Sequence, residues 1–171
     1  MLRCARQNPG FGGGRIAQNL TPQARGFWRT FNNSAKKQSP LPILFDTGAA
    51  ELLRRGSRDA EQLALQHYPP VLCLHVVAEY LFGQVLSGVS STAMLQAQEY
   101  LESFEILRPD LATASIYARI RSQLKRSGII LPDPDVWISA HALQQSIPLA
   151  STDKDFERIG GLRFRYLAPV H

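Results

Sequence analysis

Ile43-Leu44-Phe45-Asp46-Thr47-Gly48-Ala49-Ala50-Glu51-Leu52-Leu53-Arg54-Arg55-Gly56 runs from three large apolar residues, through an acid, into a helix-forming run closed by glycine. Three consecutive apolar side chains leave no polar face, as in a strand covered on both sides. Glycine just past the last helical turn is a common stop. The segment therefore reads as a short buried strand over Ile43–Phe45, a turn bearing a carboxylate, and a helix from Ala49 to Arg55.

The same alternation continues downstream. Asp59 is expected to cap a helix running to about His67, stopped by Pro69-Pro70. Val71 to His75 predicts the next strand, and Val76 to Leu86 a helix followed by Gly88. Ser91 can cap a helix through Glu102, and Phe104 to Leu107 predicts a third strand. Leu111 to Arg126 is a long amphipathic helix, with Leu111, Ala114, Tyr117, Ala118 and Leu124 expected on its buried side. Asp135 opens a helix from Val136 to Gln145, Ile147 to Ala150 predicts a strand, and Lys154 to Ile159 a short helical turn. Gly160-Gly161 leads to a last strand, Leu162 to Phe164. Strands alternating with helices predict an α/β fold, a three-layer α/β/α sandwich with a mostly parallel central sheet.

The length suits one domain plus an extension. Residues 1–40 are rich in Gly, Asn, Gln, Ser and Arg and carry no sustained period, so they read as a basic extension, disordered or partly helical; residues 41–171 form the domain. Phe27, Trp28 and Phe31 could make a small helical patch in that extension. Gly10-Phe11-Gly12-Gly13-Gly14 lacks the Lys-Ser/Thr of a phosphate loop and reads as linker. The extension is Arg-rich and acid-free, as organellar transit segments are, but a plain basic tail is the simpler expectation.

The formal charge of +5 is unevenly distributed. The first 45 residues hold seven of the 19 basic residues and no acid, so the remaining 12 basic residues face 14 acidic ones, about −2. The domain is therefore not the broadly basic surface that coats duplex DNA. Cys4 and Cys73 are too few for a disulfide framework, and Cys73 sits in an apolar run as a small core residue. No apolar stretch reaches membrane-span length, and the N-terminus lacks the apolar core of a secretory signal. Cytoplasmic residence is the expectation.

Four acids fall at strand–helix junctions: Asp46, Glu79, Asp135 and Asp153. In a parallel sheet such positions converge at the carboxyl ends of the strands. Carboxylates without matching basic residues suit hard divalent cations such as Mg2+ or Mn2+. Such an ion lowers the pKa of bound water and offsets charge on a phosphate under attack. Asp46 and Asp153 would stand at strand ends; Glu79 and Asp135 would stand at or near helix N-termini, where the helix dipole tempers their repulsion. Each alone is weak, because an Asp at a helix start is usually a cap. The joint pattern points to metal-assisted phosphodiester chemistry.

Residues Leu41 to Leu167 resemble a PIN domain, and within that family the VapC-type toxin ribonucleases. The resemblance rests on four segments: Ile43-Leu44-Phe45-Asp46-Thr47-Gly48, Val76-Val77-Ala78-Glu79-Tyr80-Leu81-Phe82-Gly83, Asp135-Val136-Trp137-Ile138-Ser139-Ala140-His141-Ala142, and Leu149-Ala150-Ser151-Thr152-Asp153-Lys154-Asp155-Phe156. Gly161-Leu162-Arg163 matches the closing turn. The resemblance implies that Asp46, Glu79, Asp135 and Asp153 are metal ligands and catalytic residues. Asp155 is either a supporting acid or the cap of the following turn. Thr47 could hydrogen-bond the Asp46 carboxylate, and Ser151 keeps a hydroxyl where Thr is commoner. It further implies a Mg2+- or Mn2+-dependent endoribonuclease leaving a 5′-phosphate and a 3′-hydroxyl, an RNA substrate, an antitoxin that inserts a basic side chain into the acidic crevice, and a homodimer. Gly48 departs from the Ser or Asn of many members.

Two other readings compete. A PIN-like module could bind RNA or protein without cutting. The Asp46-Thr47-Gly48-Ala49 motif also looks like that of retropepsin-like aspartic proteases, which are all-β. Helix-forming residues after the motif oppose that reading. Asp133 is expected to be exposed, His141 structural rather than a base, and Trp137 core. Arg119, Arg121, Lys125 and Arg126 read as a solvated face or an RNA-backbone contact.

Overall fold

The computed structural model describes residues 41–67 and 70–169. The 1–40 extension, with Cys4, the glycine run and the Phe27, Trp28, Phe31 patch, lies outside the described residues.

Strand β1 (Ile43–Phe45) is completely buried and occupies the middle of a five-stranded sheet. The other strands are β2 (Pro70–Cys73), β3 (Glu105–Leu107), β4 (Leu149–Ser151) and β5 (Phe164–Tyr166). Their order is β3-β2-β1-β4-β5, and every pairing is parallel. Leu44 pairs with Val71 on one side and Leu149 on the other. The β1–β4 ladder is closed by Leu44 N donating to Pro148 O at 2.9 Å and Asp46 N donating to Ala150 O at 3.0 Å. The fully buried β1, β2 and β4 are the central strands, whereas the edges β3 and β5 expose polar residues. Pro70 opens β2, where a missing N–H is tolerated.

Helices α1 (Thr47–Arg54), α2 (Arg58–Gln66), α3 (Leu74–Leu86), α4 (Ser91–Glu102), α5 (Leu111–Arg126) and α6 (Asp133–Gln145) cover the sheet, completing the α/β/α layers. A 3-10 turn follows β4 at Lys154–Arg158. The all-β architecture of the protease reading is absent. Among the described residues, no helix is long and apolar enough to cross a membrane.

Several boundaries differ from expectation. Strand β2 ends at Cys73, and α3 begins at Leu74, so His75 lies in the first helical turn rather than at a strand end. Ser57, not Asp59, precedes α2, and Ser90, not Ser91, caps α4 by accepting from Ala93 N. Strand β5 lies two residues later than expected, because Phe164 is the partner of Leu149. On α5 the buried positions are Thr113, Ile120 and Leu124, while Leu111 is 85% exposed. Thr113 tolerates burial because its hydroxyl bonds Asp110 and Gln144.

The chain steps from β1 to β2 and β3 on one side, then crosses to β4 and β5 on the other. The reversal point lies between β1 and β4. Their carboxyl ends flank the crevice that such a reversal opens.

Candidate active site

Asp46 follows β1 directly and is the N-cap of α1: its Oδ1 accepts from Ala49 N at 2.6 Å. Its Oδ2 accepts from the hydroxyl of Ser151, the last residue of β4. Ser151 Oγ in turn accepts from Asp153 N at 2.8 Å. One buried hydroxyl thus ties the first acid to the backbone of the fourth across neighbouring strands. Asp153 accepts from Asp155 N at 2.8 Å, capping the 3-10 turn, and stays exposed.

Glu79 lies on α3, and Asp135 lies in the first turn of α6, which packs against α3. The helix begins at Asp133, with Pro134 in its first turn, three residues before the expected start at Val136. Glu79 is the sixth residue of α3, two residues deeper than expected, because α3 starts at Leu74. The dipole benefit expected there is confined to the first turn and does not reach it. Thr47 donates to Glu79 Oε2 at 2.7 Å, instead of supporting Asp46 as anticipated. The hydroxyls of Ser151 and Thr47 therefore serve different acids.

The electrostatics show that the four carboxylates share one field. Burial raises the Asp46 carboxyl to about 6 despite its hydrogen bonds to Ser151 and Ala49, with Glu79 and Asp153 adding repulsion. Asp135 is likewise raised to about 6, first by burial, then by Glu79, Asp153, Asp46 and Asp155. Among the described residues, none of the four forms an ion pair with Lys, Arg or His. The neighbouring acids differ. Asp155 pairs with Arg158 at 3.3 Å and does not cap the turn; Asp133 pairs with Arg121 at 2.7 Å and accepts from Tyr117 OH at 2.6 Å. Arg121 is thus engaged rather than free for an RNA backbone. An all-oxygen donor set, mutually repelling and uncompensated by protein cations, fits a hard divalent ion.

Gly48 also acquires a reason: a Cβ there would collide with the side chain of Thr152, the residue after β4, which uses the space. Trp137 is only partly buried; it stacks between Tyr117 at 4.2 Å and His75 at 5.1 Å. His141 is completely buried, with both ring nitrogens lacking a partner, and burial lowers its pKa to about 4. It is not hydrogen-bonded to any nucleophile. Sequence reasoning missed that Cys73, His75 and His141 meet. The signal was available in the helix start, since a helix from Leu74 brings His75 to the end of β2.

The PIN-domain model matches residues 43–162, most of the described chain and all four acids. The chain belongs to the PIN-domain family. This PIN domain is 26% identical over 95 residues to a tRNA(fMet)-specific endonuclease VapC of Shigella flexneri, spanning 54% of this chain and 72% of the relative. It is 25% identical over 114 residues to ribonuclease VapC2 of Haemophilus influenzae, spanning 66% of this chain and 81% of the relative. Among solved structures it resembles VapBC-1 from nontypeable Haemophilus influenzae, with a TM-score of 0.63 and 25% identity over 74% of this chain and 98% of that one. VapBC2 from Rickettsia felis, bound to a promoter DNA fragment, shares the fold with a TM-score of 0.66 at 20% identity, covering 74% of this chain and 99% of that one.

Proposed function

We propose that this PIN domain is a Mg2+- or Mn2+-dependent endoribonuclease and the toxin of a toxin–antitoxin pair. The observation that carries the reading is the gathering of Asp46, Glu79, Asp135 and Asp153 in one field without a protein cation among the described residues. The similarity to ribonucleases and to VapBC complexes supports RNA as substrate and a small antitoxin as partner.

Asp46, Glu79, Asp135 and Asp153 would hold the ion. A bound divalent cation supplies hydroxide near neutral pH and neutralises charge on the phosphate. The chain's own residues do the positioning. Ser151 fixes the Asp46 carboxylate, Thr47 fixes Glu79, and the α1 cap keeps Asp46 Oδ1 oriented. Asp155, already paired with Arg158, adds negative field rather than a free ligand. The antitoxin would enter the crevice with a basic side chain, replacing the missing cation and silencing the site. A homodimer and cytoplasmic residence complete the proposal, with residues 1–40 as an appended basic segment and 41–171 as the nuclease domain.

The test is cleavage of a mixed RNA pool including tRNA, with Mg2+ or Mn2+, against EDTA and Asp46→Asn controls. Cutting lost in both controls is the expected result. A wild type that binds RNA without cutting under either metal sinks the nuclease reading in favour of a silent module, and cutting that survives Asp46→Asn removes Asp46 from the site.

A further inference from the structure

A second group of potential metal ligands lies beside the acidic crevice and has different chemistry. Cys73 ends β2, His75 sits in the first turn of α3, and His141 lies on α6. One ligand atom from each falls within 4.8 Å of the others. Cys73 and His141 are completely buried, and His75 is half-buried. Their polar atoms are unsatisfied: His75 Nδ1 and both nitrogens of His141 are buried without a hydrogen-bond partner. An orphaned buried polar group costs on the order of 1–3 kcal/mol, so three in one place call for a partner. The two imidazoles are tilted at 52° with centroids 5.7 Å apart, so they are not simply stacked for packing. His75 is instead stacked flat on Trp137, which fixes its ring plane.

We propose that Cys73, His75 and His141 form a thiolate–imidazole site for a borderline-soft cation of the Zn2+ kind, separate from the hard-ion site of the four acids. Tetrahedral Zn2+ with bonds of roughly 2.0–2.3 Å holds its ligand atoms about 3.3–3.8 Å apart. A closure of up to about 1–1.5 Å brings these three into range. Two nitrogens and one sulfur suit Zn2+ and disfavour Mg2+, which prefers oxygen. Both histidines are held towards the neutral form that ligates, chiefly by burial. Burial also pushes the Cys73 thiol up to about 11, while the amides of Val76 and His75 at the start of α3 act the other way. Binding therefore expels one thiol proton to solvent, and affinity falls as pH drops. Three protein ligands would leave the fourth position to water or another donor. The ion would satisfy one of the orphaned His141 nitrogens. It would also clamp the end of β2 and α3 to α6, the two helices that carry Glu79 and Asp135.

The full chain titrated with Co2+ as a Zn2+ substitute tests this. With excess Mg2+ present to fill the acidic site, the expected result is one Co2+ per chain with a sulfur-to-metal charge-transfer band, displaced by Zn2+. That band is expected to persist in Cys4→Ser and Asp46→Asn and to vanish in Cys73→Ser. Zn2+ at about 100 times its Kd is expected to raise the wild-type Tm by at least about 5 °C, a shift that Cys73→Ser loses. His141→Gln should lose the band too, with circular dichroism confirming its fold. The wild-type spectrum decides the matter even if that variant does not fold. A wild type without a sulfur band, or a band that follows Cys4 instead of Cys73, overturns the site.

Discussion

Asp46 caps α1 and Glu51 follows five residues on, and their surroundings are reversed. Burial raises both carboxyls. At Glu51 the arginines more than offset it: Arg54 donates through Nε and an NH2 group at 2.7 Å each, Arg55 Nε donates at 2.7 Å, and Tyr80 OH at 3.2 Å, leaving its pKa lowered. At Asp46 only a hydroxyl and an amide help, other acids face it, and the pKa stays at about 6. Glu51 shows how this fold neutralises a buried acid when it needs only a structural one. Cationic partners were within the chain's means, yet among the described residues none pairs with Asp46, Glu79, Asp135 or Asp153. A carboxylate cluster left uncompensated holds charge in reserve for something that arrives later.

The contrast with Glu51 is largest at Asp135. Asp135→Asn is expected to lower metal-dependent RNA cleavage by at least roughly 100-fold, beyond the loss usual for a supporting residue, while circular dichroism stays unchanged. A variant that cuts within a few-fold of wild type would place Asp135 with Glu51 as a structural acid. Ser151→Ala comes next, at about 10–100-fold in the same assay, because it frees Asp46 Oδ2 and the Asp153 amide together.

Stability should show the opposite order. A carboxyl raised from 3.8 to about 6 destabilises its ionised form by on the order of 3 kcal/mol. Because the folded pKa exceeds the unfolded one, the folded state binds more protons in that window. Stability of the metal-free protein therefore rises as pH falls from 7.5 towards the unfolded value, reaching its limit below it. Thermal melts in EDTA at pH 7.5 and 5 should show this gain, and Asp46→Asn should melt higher than wild type at pH 7.5 and flatten the pH response. Equal melting of the two proteins at pH 7.5 would remove the stored repulsion.

Glu51 supplies the smallest effect and the contrary sign. Its lowered pKa adds stability present above the unfolded value and lost as pH falls through the folded one. Glu51→Gln is expected to destabilise by about 1 kcal/mol at neutral pH, since Arg54 and Arg55 are partly solvated, and to leave cleavage within about twofold. A larger loss of cleavage than of stability would move Glu51 into the site.

The order of strands and helices was legible from the sequence because each strand is a short apolar run bounded by turn residues. The acidic convergence was legible because Asp46 and Asp153 follow strands that prove to be neighbours. What escaped was decided by contacts between distant segments. The partner of Thr47 is 32 residues away and that of Asp46 is 105, so exchange of hydroxyls between acids has no local signature. Leu111 was placed on the buried side of α5 by its hydrophobicity, whereas Thr113 is buried through Asp110 and Gln144. His75 was misplaced because an apolar run of strand-forming residues continues past Cys73, and only the backbone shows where it coils. That single shift of two residues also hid the meeting of His75 with Cys73 and His141.

The position of β1 between β2 and β4 has a consequence for the order of synthesis. Asp46 and Glu79 leave the ribosome early, but the strand that brings Ser151 and Asp153 beside them is made about a hundred residues after Asp46. A growing or prematurely terminated chain can fold its first strands and helices while its acids remain scattered. The proposed active site is complete only once the fourth strand has paired with the first.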